Sequence, residues 1–364
     1  MTPPRRLRIL HLILVLGETN SQYNEHCLPV RHERDLAICT YFVPKLDPPP
    51  EIKLFAGDGT LRGFFRAFRA ALDEGDYDAI HAHSPQMGTF VTLALLAWPQ
   101  LRRRRRSTVY TVHDSFNDFK LRNKLLMVPP LAVFHRVVFC GHGAYDSFPS
   151  LWRRRVGQRG SVIQNGADYG RVDRVLAQRG GSDGNGSFTL VSAARLEPVK
   201  DPLTLLAAFR RSGTADGRLV FLGAGALESD LDRQIEHSGI KDRVTRAGVV
   251  PRDDVFSRFA EAALFVSTSR GEGLPVAALE AMATGCPVLL SDIPPHREVA
   301  ERADFIPLVA PGDVVGFARE IARFRALTPA ERRAIGEKCS RLARERFSVQ
   351  RMNDGYERLY RGMQ

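Results

Sequence analysis

The sequence predicts an α/β protein of two doubly wound domains, each a parallel sheet covered by helices on both faces. Three observations point there. Short apolar runs alternate with amphipathic segments along most of the 364 residues, the rhythm of parallel strands joined by crossover helices. The rhythm is interrupted at 179–187, "RGGSDGNGS", where glycine and serine dominate as in a connector. The length suffices for two separate cores, and a hydrophobic content of 44% marks a globular chain.

The first strand is expected at 8–16. Its surroundings, "RRLRILHLILVLGET", imitate a signal peptide, but a small-residue cleavage site is missing and Glu18 follows at once. A buried parallel strand fits better. Further strands are expected at 37–43, 79–82, 108–112, 137–140 and 161–163, then at 189–193, 219–222, 244–247, 264–267 and 288–291. Before the strand at 79–82, "TLRGFFRAFRAALDE" forms a two-faced helix. Phe64, Phe65, Phe68 and Leu72 lie on one side to cover the sheet, and Arg62, Arg66 and Arg69 on another to meet water or an anionic membrane. The expected domains are 1–168 and 188–347, with 169–187 as a hinge and a last helix at 348–364.

No apolar run is long enough to span a bilayer. Five scattered cysteines without a Cys-x-x-Cys pair read as reduced thiols of a cytoplasmic protein. The formal charge of +11 is uneven: residues 1–168 carry a net of +8 and the remainder +3. Such an N-terminal half suits anionic lipid or a phosphorylated substrate. The runs at 102–106 and 153–155 lack interleaved aromatics, which argues against nucleic acid.

Ligands of open parallel sheets gather at the carboxyl ends of the strands. In the first half those ends offer 17–20, His83, His113 with Asp114, His142 and Asn165; in the second, Arg195, Gly223, Gly248 and 269–272. Asp201 is placed to cap a helix whose first position is Pro202. Arg195 and Lys200 then stand on the loop entering a helix N-terminus, an anion site whose natural guest is a diphosphate.

The stretch "GEGLPVAALE" carries two carboxylates, Glu272 and Glu280, with Pro275 suited to a first helical turn. Eight residues of helix rise ~12 Å and turn the second side chain ~80° from the first. Glycosidase carboxyl pairs stand roughly 5 Å or 6.5–9.5 Å apart. The spacing therefore opposes a hydrolase pair and suits two carboxylates gripping separate parts of an extended ligand.

With "ARLEPVKD", "LGAGALESDL", "AGVVPRDDV" and "STSRGEGLPVAALEAMATGCPVLLSD" in this order, the C-terminal half resembles the nucleotide-sugar half of a GT-B glycosyltransferase of the group 1, family 4 type. "DAIHAHSP", "YTVHDS" and "VIQNGAD" extend the resemblance to the N-terminal half, and "RFSVQRMNDGYERLY" to a final helix that crosses back onto the first domain. The resemblance implies two Rossmann-like domains facing across a cleft and sugar transfer from a UDP- or GDP-sugar to a glycan, lipid-linked or small-molecule acceptor. It implies retention without a covalent intermediate. No metal or other cofactor is expected. Arg195 and Lys200 would hold the donor diphosphate, Glu280 the ribose, and Glu272 the transferred sugar. Gly273 and Leu274 would give backbone donors, Val249 and Val250 would lie by the base, and His113 by the sugar.

The resemblance weakens after the first strand. The family's Gly-Gly turn and long helix are replaced by "LGETNSQYNEHCLPV", where Gly17 stands without a second glycine. Glu18, Asn20, Tyr23 and Asn24, with His83 and His142, become candidate acceptor-side contacts, against the alternative of a capped turn. "GAGALE" lacks the third glycine of a dinucleotide fingerprint. "DYD" at 76–78 precedes its strand, at the wrong end of the sheet for a metal site, and no His/Cys cluster has zinc spacing. A sugar-nucleotide epimerase of similar fold and a non-catalytic nucleotide-sugar-binding subunit are the competing readings.

Overall fold

The computed structural model describes residues 5–178 and 188–364; the expected connector at 179–187 lies outside the described residues. The chain divides into unit 1, Met1–Asn165 with Val349–Gln364, and unit 2, Gly166–Ser348.

Unit 1 is built on seven parallel strands: β1 (Arg8–Ile13), β2 (Asp35–Thr40), β3 (Ile52–Phe55), β4 (Ala79–Ala82), β5 (Thr108–Val112), β6 (Arg136–Phe139) and β7 (Gly160–Val162). Their spatial order is β3-β2-β1-β4-β5-β6-β7, the doubly wound arrangement. Alternation along β1 shows why the sheet must be covered twice. Leu10 and Leu12 join Phe64, Phe68, Met87, Val91, Met127 and Leu131 on one face. Ile9 and Ile13 join Tyr23, Met352, Tyr356 and Tyr360 on the other. The first face is covered by helices Leu61–Asp73, Pro85–Ala97, Leu121–Val133 and Ser150–Val156. The second is covered by a π-helical turn, Gln22–Cys27, and helix Val349–Arg361.

That last helix is fastened by a buried arginine. Arg34 Nε donates to Glu357 Oε2 at 3.0 Å and Arg34 Nη2 to the Asn353 carbonyl at 2.9 Å. Asn353 Nδ2 donates to the Glu25 carbonyl at 2.9 Å.

Unit 2 has six parallel strands: β8 (Thr189–Ala193), β9 (Arg218–Leu222), β10 (Val244–Gly248), β11 (Leu264–Ser267), β12 (Val288–Ser291) and β13 (Leu308–Val309), in the order β10-β9-β8-β11-β12-β13. Leu190, Leu205, Phe209, Phe221, Val266 and Phe317 are among its buried core.

The sequence reading missed β3 and β13, four and two residues long, too short for a periodic signal. β1 ends at Ile13 rather than residue 16, and β2 runs from Asp35 to Thr40 rather than 37–43. Thr40 Oγ1 turns back to donate to the Phe42 carbonyl at 2.8 Å. The expected hinge at 169–187 begins instead as an amphipathic helix, Tyr169–Gln178, burying Val172 and Val175. The five cysteines form no disulfide and are buried. Among the described residues no helix is long and apolar enough to cross a membrane.

Tyr356 is fully buried between the sheet and the C-terminal helix, and its hydroxyl lies 3.0 Å from Thr111 Oγ1. Tyr356→Ala should destabilise unit 1 by about 3–5 kcal/mol, the range for deleting a core aromatic ring, read as a lowered urea midpoint.

Candidate functional site

In unit 2 the loops after β8 and β11 bring two cations and two carboxylates together in pairs. Lys200 ends a 3-10 turn, Pro198–Lys200, and Asp201 caps helix Pro202–Arg211. Asp201 adopts φ 48°, a left-handed conformation rare outside glycine. Its carboxylate accepts from Thr204 Oγ1 at 2.9 Å and pairs with Arg270 at 2.6 Å. This turn delivers Lys200 Nζ to 2.5 Å from Glu272 Oε2, with both side chains largely buried. Ser269 Oγ donates to Glu272 Oε1 at 2.7 Å. Burial opposes ionisation of Glu272, but Lys200, His296 and the Ser269 hydroxyl outweigh it and hold the carboxyl below its ordinary range.

Glu272 precedes helix Val276–Ala283, and Glu280 lies within it. Glu280 is 4% exposed and forms an ion pair with Arg252, the first residue of helix Arg252–Glu261. Here burial dominates and pushes the carboxyl above its ordinary range, against the pull of Arg252 and Arg171. The two glutamates thus answer to two different cations. A cavity of about 80 Å³ lies against Ala194, Lys200, Thr268, Glu272 and the first turn of helix Val276–Ala283. Its walls combine a cation with the free N–H groups of a helix start, a setting for anionic oxygen.

The neighbouring loops are held by close backbone approach. A Cβ on Gly223 would meet the Ala194 carbonyl at 2.1 Å, and one on Gly225 the Leu196 carbonyl at 2.5 Å. The glycines of "GAGALE" therefore let this loop close onto the one carrying Arg195. Arg195 is exposed, with no salt bridge among the described residues. His296 is fully buried, its Nδ1 lies 3.0 Å from Ser291 Oγ, and its Nε2 has no hydrogen-bond partner among the described residues. Burial lowers its pKa to about 4, against the pull of the Glu272 carboxylate.

In unit 1 the strands gather five buried or half-buried histidines. His11 Nδ1 lies 2.9 Å from His83 Nε2, and His83 Nδ1 lies 3.0 Å from His113 Nε2. His81 is held between Tyr360 and Thr111 hydroxyls, each at 2.7 Å. His26 packs edge-on against His83 and Tyr356. His11 Nε2 is buried without a partner among the described residues. An orphan acceptor is tolerated better than an orphan N–H. The proton order that follows has His11 Nδ1–H donating to His83 and His83 Nδ1–H donating to His113. His113 then carries its own proton on Nδ1. Two triads, His11–His81–His83 and His26–His83–His113, bring ring nitrogens within 4.8 Å of one another and are the groups here that could hold a metal ion. Both nitrogens of His83 are engaged by its neighbours, whereas His26 Nε2, like His11 Nε2, has no hydrogen-bond partner among the described residues.

Residues 178–341 match the family model described as glycosyl transferases group 1, and residues 30–177 the model described as glycosyltransferase family 4. The chain belongs to the group 1 glycosyltransferases. The transferase is similar to the putative glycosyltransferase EpsD of Bacillus subtilis, 29% identical over 71% of this chain and 70% of that one. It is 25% identical to the Escherichia coli UDP-Gal:alpha-D-GlcNAc-diphosphoundecaprenol alpha-1,3-galactosyltransferase over 73% of this chain and 69% of that one. Its fold matches Anabaena HepE, solved in complex with UDP-glucose, with a TM-score of 0.76 at 20% identity over 98% of this chain and 100% of that one. The fold of the transferase is GT-B, two parallel-sheet units of the expected class.

Within the transferase, Lys200, Glu272, Gly273 and Leu274 stand around one helix start, with Leu274 buried. Val249 is 62% exposed just after β10, and Val250 is half-buried beside it. In unit 1, Glu18 and His142 are exposed and Gly17 is half-buried. Three acceptor-side candidates are engaged within the turn itself. Asn20 Oδ1 accepts from the Tyr23 amide at 2.8 Å and its Nδ2 donates to the Val15 carbonyl at 3.1 Å. Asn24 Nδ2 donates to the carbonyls of Glu18 and Asn20 at 2.7 and 2.8 Å. Tyr23 is 5% exposed and packs in the core. All three build the turn itself. His83 is buried, with both ring nitrogens engaged by His11 and His113. In "DYD", Asp78 accepts from the Arg8 amide at 2.9 Å and pairs with Arg5, and Asp76 pairs with Arg104.

Sequence reasoning missed Arg252, His296, His11 and His26. Arg252 stood in the quoted "AGVVPRDDV". His11 and His26 come from β1 and the π-helical turn, and only the fold brings them to His81, His83 and His113.

Arg252→Met should leave Glu280 buried without its cation and cost about 3–5 kcal/mol. Adding Glu280→Gln should recover a large part of that loss in the same denaturation assay. Burial also keeps the pKa of His11 near 3 and of His113 near 4, against an ordinary 6.5. The unfolded chain then binds more protons between pH 6.5 and 4. Stability should be level above pH 6.5 and fall as pH drops through that window, by ~1.4 kcal/mol per pH unit for each such histidine. Urea midpoints measured from pH 7.5 to 4.5 check this.

Proposed function

We propose that this transferase moves a sugar from a nucleoside-diphosphate donor to a lipid-linked or glycan acceptor with retention of configuration. The observation that carries the reading is the buried Lys200–Glu272 pair at the start of helix Val276–Ala283, beside a cavity that suits anionic oxygen. An arriving diphosphate competes for Lys200 and takes the exposed Arg195 as its second cation. Glu272, released from Lys200, accepts hydrogen bonds from the hydroxyls of the transferred sugar. The helix N–H groups, with Gly273 and Leu274, donate to phosphate or sugar oxygen. Glu280 accepts from the ribose hydroxyls, with Arg252 keeping the carboxylate ionised despite burial. In unit 1 the neutral His113 carries a donor Nδ1–H. Val249 and Val250 line the base.

The reaction breaks the bond between the anomeric carbon and the donor phosphate oxygen and forms one to the acceptor oxygen on the same face. The acceptor proton passes to the departing phosphate. Negative charge grows on the diphosphate as its bond breaks, so Lys200 and Arg195 act most strongly in the transition state. The Escherichia coli relative acts on a diphosphate-linked lipid by its name, which supports the acceptor class.

Lys200→Ala should lower kcat about 10²–10³-fold, the range for losing one donor to a developing oxyanion. The assay is release of nucleoside diphosphate and labelled sugar from UDP- and GDP-sugars with diphosphate-lipid acceptors. An altered sugar formed without acceptor, or nucleotide-sugar binding without turnover across the panel, would overturn the proposal.

A further inference from the structure

The exposed large hydrophobic side chains are distributed unevenly. Among the described residues, only Val249 and Val315 of them belong to unit 2. In unit 1, most lie on two adjacent helices that cover one face of the sheet. Leu121, Leu125 and Val128 form an i, i+4, i+7 stripe on helix Leu121–Val133, the first two 73% and 64% exposed. Leu93 and Leu96 stand on helix Pro85–Ala97. The helices are fastened side by side through Thr89 Oγ1, which donates to the Leu126 carbonyl at 2.5 Å, and Gln86 Nε2, which donates to Asn123 Oδ1 at 3.2 Å. Leu151, 72% exposed, stands on helix Ser150–Val156, which packs against helix Leu121–Val133.

Cations flank this apolar strip on both sides. Helix Leu61–Asp73 presents exposed Arg62, Arg66 and Arg69, and its Phe65 and Phe68 meet Trp98 at the end of helix Pro85–Ala97. On the other flank, Arg105 Nε donates to the Val133 carbonyl at 2.9 Å, and Arg159 to the carbonyls of Phe134 and Leu131 at 2.6 and 2.9 Å. Arg103, Arg106, Arg122, Arg154 and Arg155 form no salt bridge among the described residues. Arg159 is held below its ordinary pKa by burial and by Arg105 and Arg155, a sign of crowded like charge. Between residues 84 and 167 the sequence holds thirteen Lys/Arg and three Asp/Glu. Neither helix at the centre of the strip contains a carboxylate.

We propose that this helical face docks on an anionic lipid bilayer, with Leu93, Leu96, Leu121, Leu125 and Leu151 entering the acyl boundary and the flanking arginines meeting lipid phosphates. Exposed leucines amid unpaired cations match the two terms of interfacial binding, apolar burial and attraction to anionic headgroups. The face relocates the membrane contact expected from Arg62, Arg66 and Arg69 alone: those arginines are one flank, and the apolar part lies on the next two helices. Docking rests on the proposed lipid-linked acceptor only for its benefit to turnover; binding itself needs no substrate.

The test is co-sedimentation of the full chain with vesicles of phosphatidylcholine and phosphatidylglycerol at 7:3, beside pure phosphatidylcholine. Binding to the mixed vesicles should exceed that to pure phosphatidylcholine by about tenfold or more and fall at high salt. Leu121→Ser with Leu125→Ser, both exposed and outside the donor site, should weaken it about tenfold or more. Arg154→Ser with Arg155→Ser should weaken it and flatten its salt dependence. Nucleotide release from donor with a water-soluble acceptor should stay at the wild-type rate in these variants. Absence of binding to anionic vesicles, or binding indifferent to the leucine changes, overturns the proposal. Self-association that the leucine changes abolish, without vesicle binding, assigns the face to a second copy of the chain. Loss of transfer with intact vesicle binding would fault the proposed reaction and leave the docking standing.

Discussion

A parallel sheet has no face it can leave in water. Its strands alternate apolar side chains to both sides, and each side must be roofed. Everything else in this molecule follows from that demand. The roofing helices take up both faces, so polar chemistry is pushed to the carboxyl ends of the strands, where loops are free to vary. Lys200 and Glu272 sit on such loops, and His113 just beyond such a strand end, after β5. The same demand gives unit 1 its helical layer, whose outer surface remains to be spent on water or on a partner.

Within unit 2 the constraint that organises the chemistry is that a buried charge needs a partner before its ligand arrives. Glu272 borrows Lys200 and Glu280 borrows Arg252. The two pairs differ in sign of effect: the first carboxyl is held below its ordinary range and the second above it. The difference is one of surroundings, since Ser269 and His296 add to Lys200 around Glu272. Paired in this way, neither carboxylate stands as a bare buried charge.

Much of this was legible in the chain. The strand rhythm revealed both sheets because the runs are apolar and regularly spaced. The spacing of Glu272 and Glu280 set them apart before any coordinates, and each pairs with its own cation. The capping of a helix by Asp201 and Pro202 placed Lys200 correctly. What escaped was of two kinds. β3 and β13 were too short to carry a period, and helix Tyr169–Gln178 lay beside a glycine-rich run that drew the boundary too early. Contacts between distant strands formed the second kind. The chain from His11 through His83 to His113 runs from the middle of β1 to the ends of β4 and β5, and the Asn20–Asn24 turn satisfies itself in ways composition leaves open. Hydrogen-bond accounting needs coordinates; periodicity does not.

Helix Val349–Arg361 closes the second face of unit 1, yet it lies beyond the whole of unit 2 in the chain. On the ribosome, the first 165 residues emerge with Ile9, Ile13, Ile38 and Val138 still unroofed. Unit 2, contiguous in sequence, is the first to have all its parts. Assembly of unit 1 must wait for Tyr356 and Tyr360, and during that interval the nascent sheet is the segment that a chaperone would need to shield.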